Sequence, residues 1–139
     1  MIVLDTNVVS ELVRPAPSAQ VLEWFAGQPA LLLCTTSITQ AEILYGMEIL
    51  TKGRKKKALE AALSAMFQED FRGRVLAFDA ASAAFFAEIA AVRKGLGRPI
   101  SQFDAQIAAI ARSRKAALAT RNTADFADCG VKLLNPWDE

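Results

Sequence analysis

Short apolar runs alternate along the chain with longer segments of helical period. The first run, Ile2–Leu4, is continuously apolar, which is typical of a strand buried on both faces of a parallel sheet. Because predicted strands alternate with predicted helices, the pattern favours an α/β fold whose parallel sheet is covered on both faces. Four further strands are predicted at residues 31–35, 74–78, 117–120 and 131–135.

Six helices are predicted between these strands from their capping residues and stop signals. Ser37, with Gln40 three residues later, forms a capping box ahead of a helix at about 38–50. Ser101 and Asp104 form a second box of the same kind. The predicted helices lie at about 8–13, 18–27, 38–50, 54–67, from 79 or 82 to 94, and 104–113.

The composition indicates a globular protein with a sizeable core. Hydrophobic residues make up 53% of the 139 positions, and we expect one domain spanning residues 1–139. The formal net charge of +1 argues against a protein that binds polyanions over its whole surface. The first residues carry no basic leader, and no apolar run approaches the roughly 20 residues of a bilayer span. We therefore expect a cytoplasmic protein without membrane contact.

The sequence contains no histidine, which narrows the possible chemistry. Catalytic triads built on histidine, histidine-ligated zinc sites and imidazole general bases are all excluded. A hydrolase of this composition must therefore use carboxylates and a metal ion.

Acidic residues lie at or near the carboxyl ends of the predicted strands. Asp5 directly follows the first strand, and Asp125 follows the fourth. Glu42 falls one turn inside the helix after the second strand, and Asp104 lies in the first turn of the helix before the fourth. Ligands of open α/β sheets bind beyond this edge, so these four carboxylates are candidates for one site. Each also has a plain structural explanation as a capping, turn or solvent-exposed acid, and Asp79 is assigned to capping alone.

Carboxylates gathered in one cleft repel one another, and they stay ionised together when a cation lies between them. Their oxygens suit Mg²⁺ or Mn²⁺, which can lower the pKa of a bound water and stabilise charge on a phosphodiester. The spacing of the acids leaves open whether one ion or two would bind.

Four segments of the chain carry a resemblance to a known family. They are MIVLDTNVVSEL at 1–12, TTSITQAEILYG at 35–46, GRPISQFDAQIAAIA at 97–111 and LATRNTADFADCGVKLLNPW at 118–137. In this order they resemble PIN-domain ribonucleases of the VapC/FitB type, the toxin half of bacterial toxin–antitoxin pairs. The resemblance covers nearly the whole chain and implies a single PIN domain, a three-layer α/β/α sandwich around a central parallel sheet of about five strands.

The resemblance also implies roles for individual residues. Asp5, Glu42 and Asp104 would bind Mg²⁺ or Mn²⁺ and act in catalysis. Many relatives have a fourth acid where this chain has Asn122, and Asp125 is then the nearest carboxylate able to act in catalysis. Hydrogen bonds that orient the carboxylates are expected from Thr6, Asn7, Ser37, Thr120 and Asn122.

An RNA substrate needs positive charge near these acids, because its backbone is a polyanion. The candidate RNA-binding residues are Lys52, Arg54, Lys55, Lys56, Lys57 and Arg121. The basic run at 52–57 has an alternative role as the solvated start of a helix. The resemblance implies a tRNA, rRNA or mRNA target, with recognition in a single-stranded loop.

Partners follow from the same resemblance. A cognate antitoxin of the VapB/FitA type would bind the toxin, and two toxin copies would form a homodimer within a larger complex. DNA would be contacted only through the antitoxin, since nothing in this chain looks like a recognition helix.

Two other functions are compatible with acids at strand ends. A Mg²⁺-binding phosphoryl-transfer module of the receiver type would need a second acid beside Asp5 or a lysine after a late strand, and the sequence offers neither. A catalytically decayed PIN interaction protein is the other alternative, for which Asn122 is the only hint.

Overall fold

A parallel sheet lies at the centre of the protein, whose computed structural model describes residues 1–138. Its five strands are β1 (Ile2–Leu4), β2 (Leu33–Thr36), β3 (Val75–Leu76), β4 (Ala117–Ala119) and β5 (Leu133–Leu134). They lie in the order β3-β2-β1-β4-β5, and every neighbouring pair is parallel. The strand order therefore reverses beside β1, and such a switch point is where open α/β sheets bind their ligands.

Within the described residues, six α-helices cover the sheet. They are α1 (Thr6–Leu12), α2 (Ala19–Ala26), α3 (Ser37–Glu48), α4 (Arg54–Ala65), α5 (Ala80–Gly95) and α6 (Gln102–Ser113). Shorter helical turns occupy Ala30–Leu32, Met66–Asp70 and Thr123–Phe126. None of the helices in residues 1–138 is both long and apolar enough to cross a bilayer.

Adjacent residues of β1 point to opposite faces of the sheet and belong to different halves of the core. Val3 packs in a cluster with Ile89 of α5 and Ile107 of α6. Leu4 packs in a second cluster with Val8 of α1 and with side chains from α2. Both strand residues are fully buried, so helices cover the sheet on each side. The predicted three-layer α/β/α arrangement and its parallel five-stranded sheet are confirmed.

The ends of several elements differ from the prediction. Residues 30–32 form a helical turn after Pro29 and do not begin β2, and Leu31 is 82% exposed. The apolar run is therefore longer than the strand that it contains, because hydrophobicity alone does not mark where pairing starts. Helix α1 begins at Thr6, two residues early, because Asp5 is its N-cap and accepts a hydrogen bond from the Thr6 N–H at 2.8 Å.

The predicted N-cap of α3 is wrong by one residue. Thr36 is the cap, and its Oγ1 accepts a hydrogen bond from the Thr39 N–H at 3.0 Å. Ser37 is the first helical residue. Since Thr36 is also the last residue of β2 and pairs with Leu76 of β3, the strand passes into the helix without an intervening loop. This direct passage places the first turns of α3 beside the carboxyl end of β1.

This cap yields a prediction with a matched control one residue away. We expect Thr36→Ala to lower the free energy of unfolding by about 1 to 2 kcal/mol, because the Thr39 N–H loses its acceptor. Ser37→Ala should change it by less than about 0.5 kcal/mol, and Thr36→Ser, which keeps the hydroxyl, should recover most of the loss. Urea unfolding of the three variants provides the measurement. Equal effects of the alanine substitutions at 36 and 37 would contradict the observed cap.

Candidate active site

Three acidic side chains line one cleft at the carboxyl edge of the sheet. Asp5 directly follows β1, Glu42 lies in the second turn of α3, and Asp104 lies in the first turn of α6. The cleft has a volume of about 440 Å³, which is large enough for a hydrated ion and part of a nucleotide. Three separate elements thus deliver one carboxylate each to the switch point of the sheet.

The Asp5 carboxylate is buried, and its hydrogen bonds fix its orientation. It is 5% exposed, and its Oδ1 accepts from the Thr6 N–H at 2.8 Å. Its Oδ2 accepts from Thr120 Oγ1 at 2.8 Å and from Asn7 Nδ2 at 3.3 Å. Burial raises the pKa of Asp5 to about 6, although the hydrogen bonds from Thr120 and Thr6 act to lower it. The negative charges of Asp104 and Glu42 raise this pKa further.

Glu42 is held by the Thr6 hydroxyl of α1, which in turn contacts the Thr39 hydroxyl of α3. Thr6 Oγ1 donates to Glu42 Oε1 at 2.8 Å, and the Thr6 and Thr39 hydroxyl oxygens lie 3.0 Å apart. Burial raises the pKa of Glu42, and the charge of Asp104 adds to that effect. Thr39 is fully buried, and no local sequence signal marks it as part of the site.

Asp104 is placed by the capping box that the sequence predicts. Ser101 is the N-cap of α6, and its Oγ accepts from the Asp104 N–H at 3.2 Å. Burial raises the pKa of Asp104, and the charge of Asp125 raises it further, while Arg93 acts in the opposite direction. The capping role and the position in the cleft are therefore compatible with each other.

Side chains at the ends of β1 and β4 join the two strands around Asp5. Asn7 Nδ2 donates to Thr120 Oγ1 at 3.3 Å, and the Asn122 N–H donates to the same oxygen at 3.1 Å. The Arg121 N–H donates to Asn7 Oδ1 at 3.2 Å. Asn7 and Asn122 both line the cleft, where their amide oxygens are additional neutral ligands or acceptors.

Other candidate residues from the sequence lie outside this cleft. Ser37 makes no hydrogen bond to the three carboxylates in residues 1–138, because the cap lies at Thr36 and the hydroxyls beside Glu42 come from Thr6 and Thr39. Asp125 is exposed on the turn Thr123–Phe126 and does not line the cleft, although its charge affects Asp104. The basic run is at the start of α4 and lines a separate shallow pocket with Lys52, Lys56 and Lys57.

The chemistry of the cleft suits a hard divalent cation. As placed, no three acidic or cysteine side chains among residues 1–138 stand close enough together to hold one ion. Glu42 is turned towards Thr6, and a common ion therefore requires rotation of a flexible side chain. The mutual repulsion of Asp5, Glu42 and Asp104 is the observation that favours a cation, because an ion between them would remove it.

Comparison with known proteins agrees with this arrangement. Residues 2–132 match the PIN domain. The chain belongs to the PIN-domain family.

Similar proteins include a toxin and a ribonuclease. Toxin FitB of Neisseria gonorrhoeae is 37% identical over 139 residues, which is the full length of both chains. The VapC ribonuclease Y4jK of Sinorhizobium fredii is 36% identical over 99% of each chain. A solved structure of FitAB bound to an IR36 DNA fragment superimposes with a TM-score of 0.92 at 37% identity, covering 99% of this chain and 96% of that one.

A buried arginine supports the acidic edge of this PIN domain from behind. Arg93 of α5 is 5% exposed, and its Nε donates to the Arg98 carbonyl at 2.8 Å in the loop before α6. Its Nη1 donates to the carbonyls of Asp125 at 2.7 Å and Ala127 at 3.1 Å. Arg93 therefore ties the loop that leads to Asp104 to the turn that follows β4.

The raised pKa values predict how metal binding depends on pH. A divalent cation that binds here would have to displace protons from the three carboxyls, and the pKa of Asp5 is about 6. Affinity should therefore rise as the pH rises from about 5 to about 7.5 and then level off. Calorimetric titration of Mn²⁺ into this PIN domain at several pH values measures the affinity. In the Asp5→Asn variant the affinity should depend less on pH. No histidine titrates in this range, so an unchanged affinity would contradict the site.

Loss of Arg93 should destabilise this PIN domain more than loss of its neighbour Lys94. We expect Arg93→Met to lower the free energy of unfolding by about 3 kcal/mol, because the carbonyls of Arg98, Asp125 and Ala127 lose their donor. Lys94→Met removes the same charge from an exposed position and should cost less than about 0.5 kcal/mol. Urea unfolding compares the two variants, and equal costs would contradict the proposed support.

Proposed function

We propose that this PIN domain is a metal-dependent endoribonuclease and the toxin of a bacterial toxin–antitoxin module. The convergence of Asp5, Glu42 and Asp104 on one cleft at the switch point of the sheet carries the proposal. The names of the similar proteins, a FitB toxin and a VapC ribonuclease, support it. The absence of histidine from the sequence agrees with hydrolysis that depends on carboxylates and a metal ion.

Each part of the cleft has a task in hydrolysis. A Mg²⁺ or Mn²⁺ ion, when bound, would activate water and stabilise negative charge on the phosphodiester. Asp5, Glu42 and Asp104 supply the oxygen ligands. Thr120 holds the Asp5 carboxylate in a fixed orientation through a bond of 2.8 Å, while Glu42, bonded to Thr6 at 2.8 Å, turns from that bond to reach the ion.

The residues around Asp104 complete the proposed catalytic edge. Asn122 lines the cleft, and its amide oxygen can accept a hydrogen bond from water. Asp125 adds negative charge near Asp104 from outside the cleft, which strengthens the attraction for a cation. The substrate class is RNA, bound by its backbone charge at Arg121 and, more distantly, at the basic run of α4.

The partner that fits this chain is an antitoxin of the FitA or VapB type. The similar solved structure contains FitAB bound to DNA, and we propose the corresponding complex here, with a toxin homodimer and with DNA contacts made by the antitoxin. An apolar groove runs beside the carboxylate cleft, and the two share the lining residues Thr6, Ser10, Arg14 and Glu42. The apolar side chains of this groove are Val13, Pro15, Ile43, Met47, Leu50 and Leu59.

Cleavage of labelled RNA tests the proposed function. Incubation with Mg²⁺ should cut RNA, and EDTA should abolish cleavage. Asp5→Asn and Asp104→Asn should each reduce the rate more than roughly 100-fold, because a neutral amide replaces a charged ligand. Pools of tRNA, rRNA and mRNA are the substrates.

Asp79→Asn is the matched control for these variants. Asp79 also follows a strand and caps a helix, accepting from the Ser82 N–H at 3.0 Å, but it lies outside the cleft. Asparagine is an equally good cap, so this variant should cut RNA at the wild-type rate. RNA left intact in all three pools would favour a decayed site and contradict the proposal.

A further inference from the structure

Two arginines and a tryptophan line the carboxylate cleft together with the acids. Arg14 follows α1, Arg121 follows β4, and Trp137 follows β5. All three line the same cleft as Asp5 and Glu42. Of the residues that line this cleft, Arg14 and Arg121 are the only cations.

A buried carboxylate holds Arg14 in place. Arg14 Nη1 donates to both carboxylate oxygens of Glu11, at 3.0 and 3.2 Å. Glu11 is 5% exposed and also accepts from the Ser18 N–H at 3.1 Å. The Arg14 side chain itself is 61% exposed. The Arg14 guanidinium is therefore held through Nη1, while its remaining N–H groups are accessible to a ligand.

An aromatic ring holds Arg121. Its guanidinium carbon lies 5.0 Å from the centroid of the Trp137 ring, which is within the range of a cation–π contact. The Trp137 N–H donates to Asn135 Oδ1 at 3.0 Å, and Trp137 packs beside the core cluster that contains Leu4. The Arg121 main-chain N–H donates to Asn7 Oδ1, so the backbone that carries this side chain is tied to the network that orients Asp5.

We propose that Arg14 and Arg121 form a subsite for a backbone phosphate of single-stranded RNA, next to the phosphodiester that the carboxylates place for cleavage. Glu11 and Trp137 are positioning residues that fix the two guanidinium groups. The subsite rests on the proposed ribonuclease function and deepens it by naming the residues that hold the strand.

The charges in the cleft show why a substrate needs this subsite. Asp5, Glu42 and Asp104 carry three negative charges, and one divalent ion leaves a net charge of −1 that still repels a polyanion. The two guanidinium groups with Glu11 add a net charge of +1 to the lining of the same cleft. Guanidinium groups also match phosphate oxygens with paired hydrogen bonds. The basic run at 52–57 lines a different pocket and does not supply this charge.

Four substitutions test the subsite. Arg14→Gln and Arg121→Gln remove one charge each, and Trp137→Leu removes the ring beneath Arg121. Lys132→Gln is the control, because it removes the same charge at a different place. Lys132 directly precedes β5 and lies at the opposite edge of the sheet. Fluorescence anisotropy in EDTA, at several salt concentrations, measures binding of a labelled single-stranded RNA of mixed sequence. Cleavage of the same RNA is followed separately in Mg²⁺.

Each arginine variant should bind the RNA about tenfold more weakly than wild type. Each should also reduce the slope of log affinity against log salt by about 0.7, the value for one phosphate contact on a single strand. Trp137→Leu should weaken binding less than Arg121→Gln and should add nothing when combined with it, because the ring acts through the guanidinium. Lys132→Gln should bind as wild type does.

Several outcomes would overturn the subsite. One is RNA binding that is equal in both arginine variants and wild type, and another is no RNA binding by wild type at all. A third is that the arginine variants no longer bind the antitoxin while their RNA binding is unchanged. That result would assign Arg14 and Arg121 to the antitoxin interface. RNA binding that depends on both arginines without any cleavage in Mg²⁺ would support the subsite and contradict the ribonuclease proposal.

Discussion

A carboxylate at the end of a central strand gives up most of its contact with water, and Asp5 regains part of the lost solvation from Thr6, Asn7 and Thr120. These donors do not remove the cost of burial, because the pKa stays raised to about 6 and two further acids add their repulsion. The Asp5 carboxylate stays buried because β1 is paired with a strand on each side, and this pairing prevents the end of β1 from moving outward into solvent. A divalent ion in the cleft would relieve the same repulsion that the fold imposes.

Much of this arrangement follows from local signals in the sequence. The apolar run Ile2–Leu4, with a charge directly after it, indicates a buried strand that ends at a site. Ser101 and Asp104 mark the start of α6, and the alternation of strands and helices indicates a parallel sheet. Because the carboxyl ends of parallel strands meet at one edge, the convergence of Asp5, Glu42 and Asp104 could be predicted before any coordinates existed.

Other features depend on contacts that no local pattern records. Thr36 and Ser37 are both good caps, and the choice between them depends on how far β2 continues to pair with β3. Arg93 reaches a carbonyl 32 residues away, and its burial has no signature in a helix rich in alanine. The pairing of Glu11 with Arg14 is different, because the two residues are only three apart in the sequence, at and just beyond the end of α1. The sequence does not indicate that both residues line the cleft.

The hydroxyl of Thr120 has a consequence for how the site receives an ion. Its oxygen accepts from Asn7 and from the Asn122 main chain, so its single hydrogen is left only the direction of Asp5. The Thr120 hydroxyl is therefore already oriented towards Asp5 and does not need to rotate if a cation binds. Little reorganisation would then be needed at this carboxylate if a cation bound, and Asp5 would be the stiffest of the three acids, with Glu42 as the adjustable one.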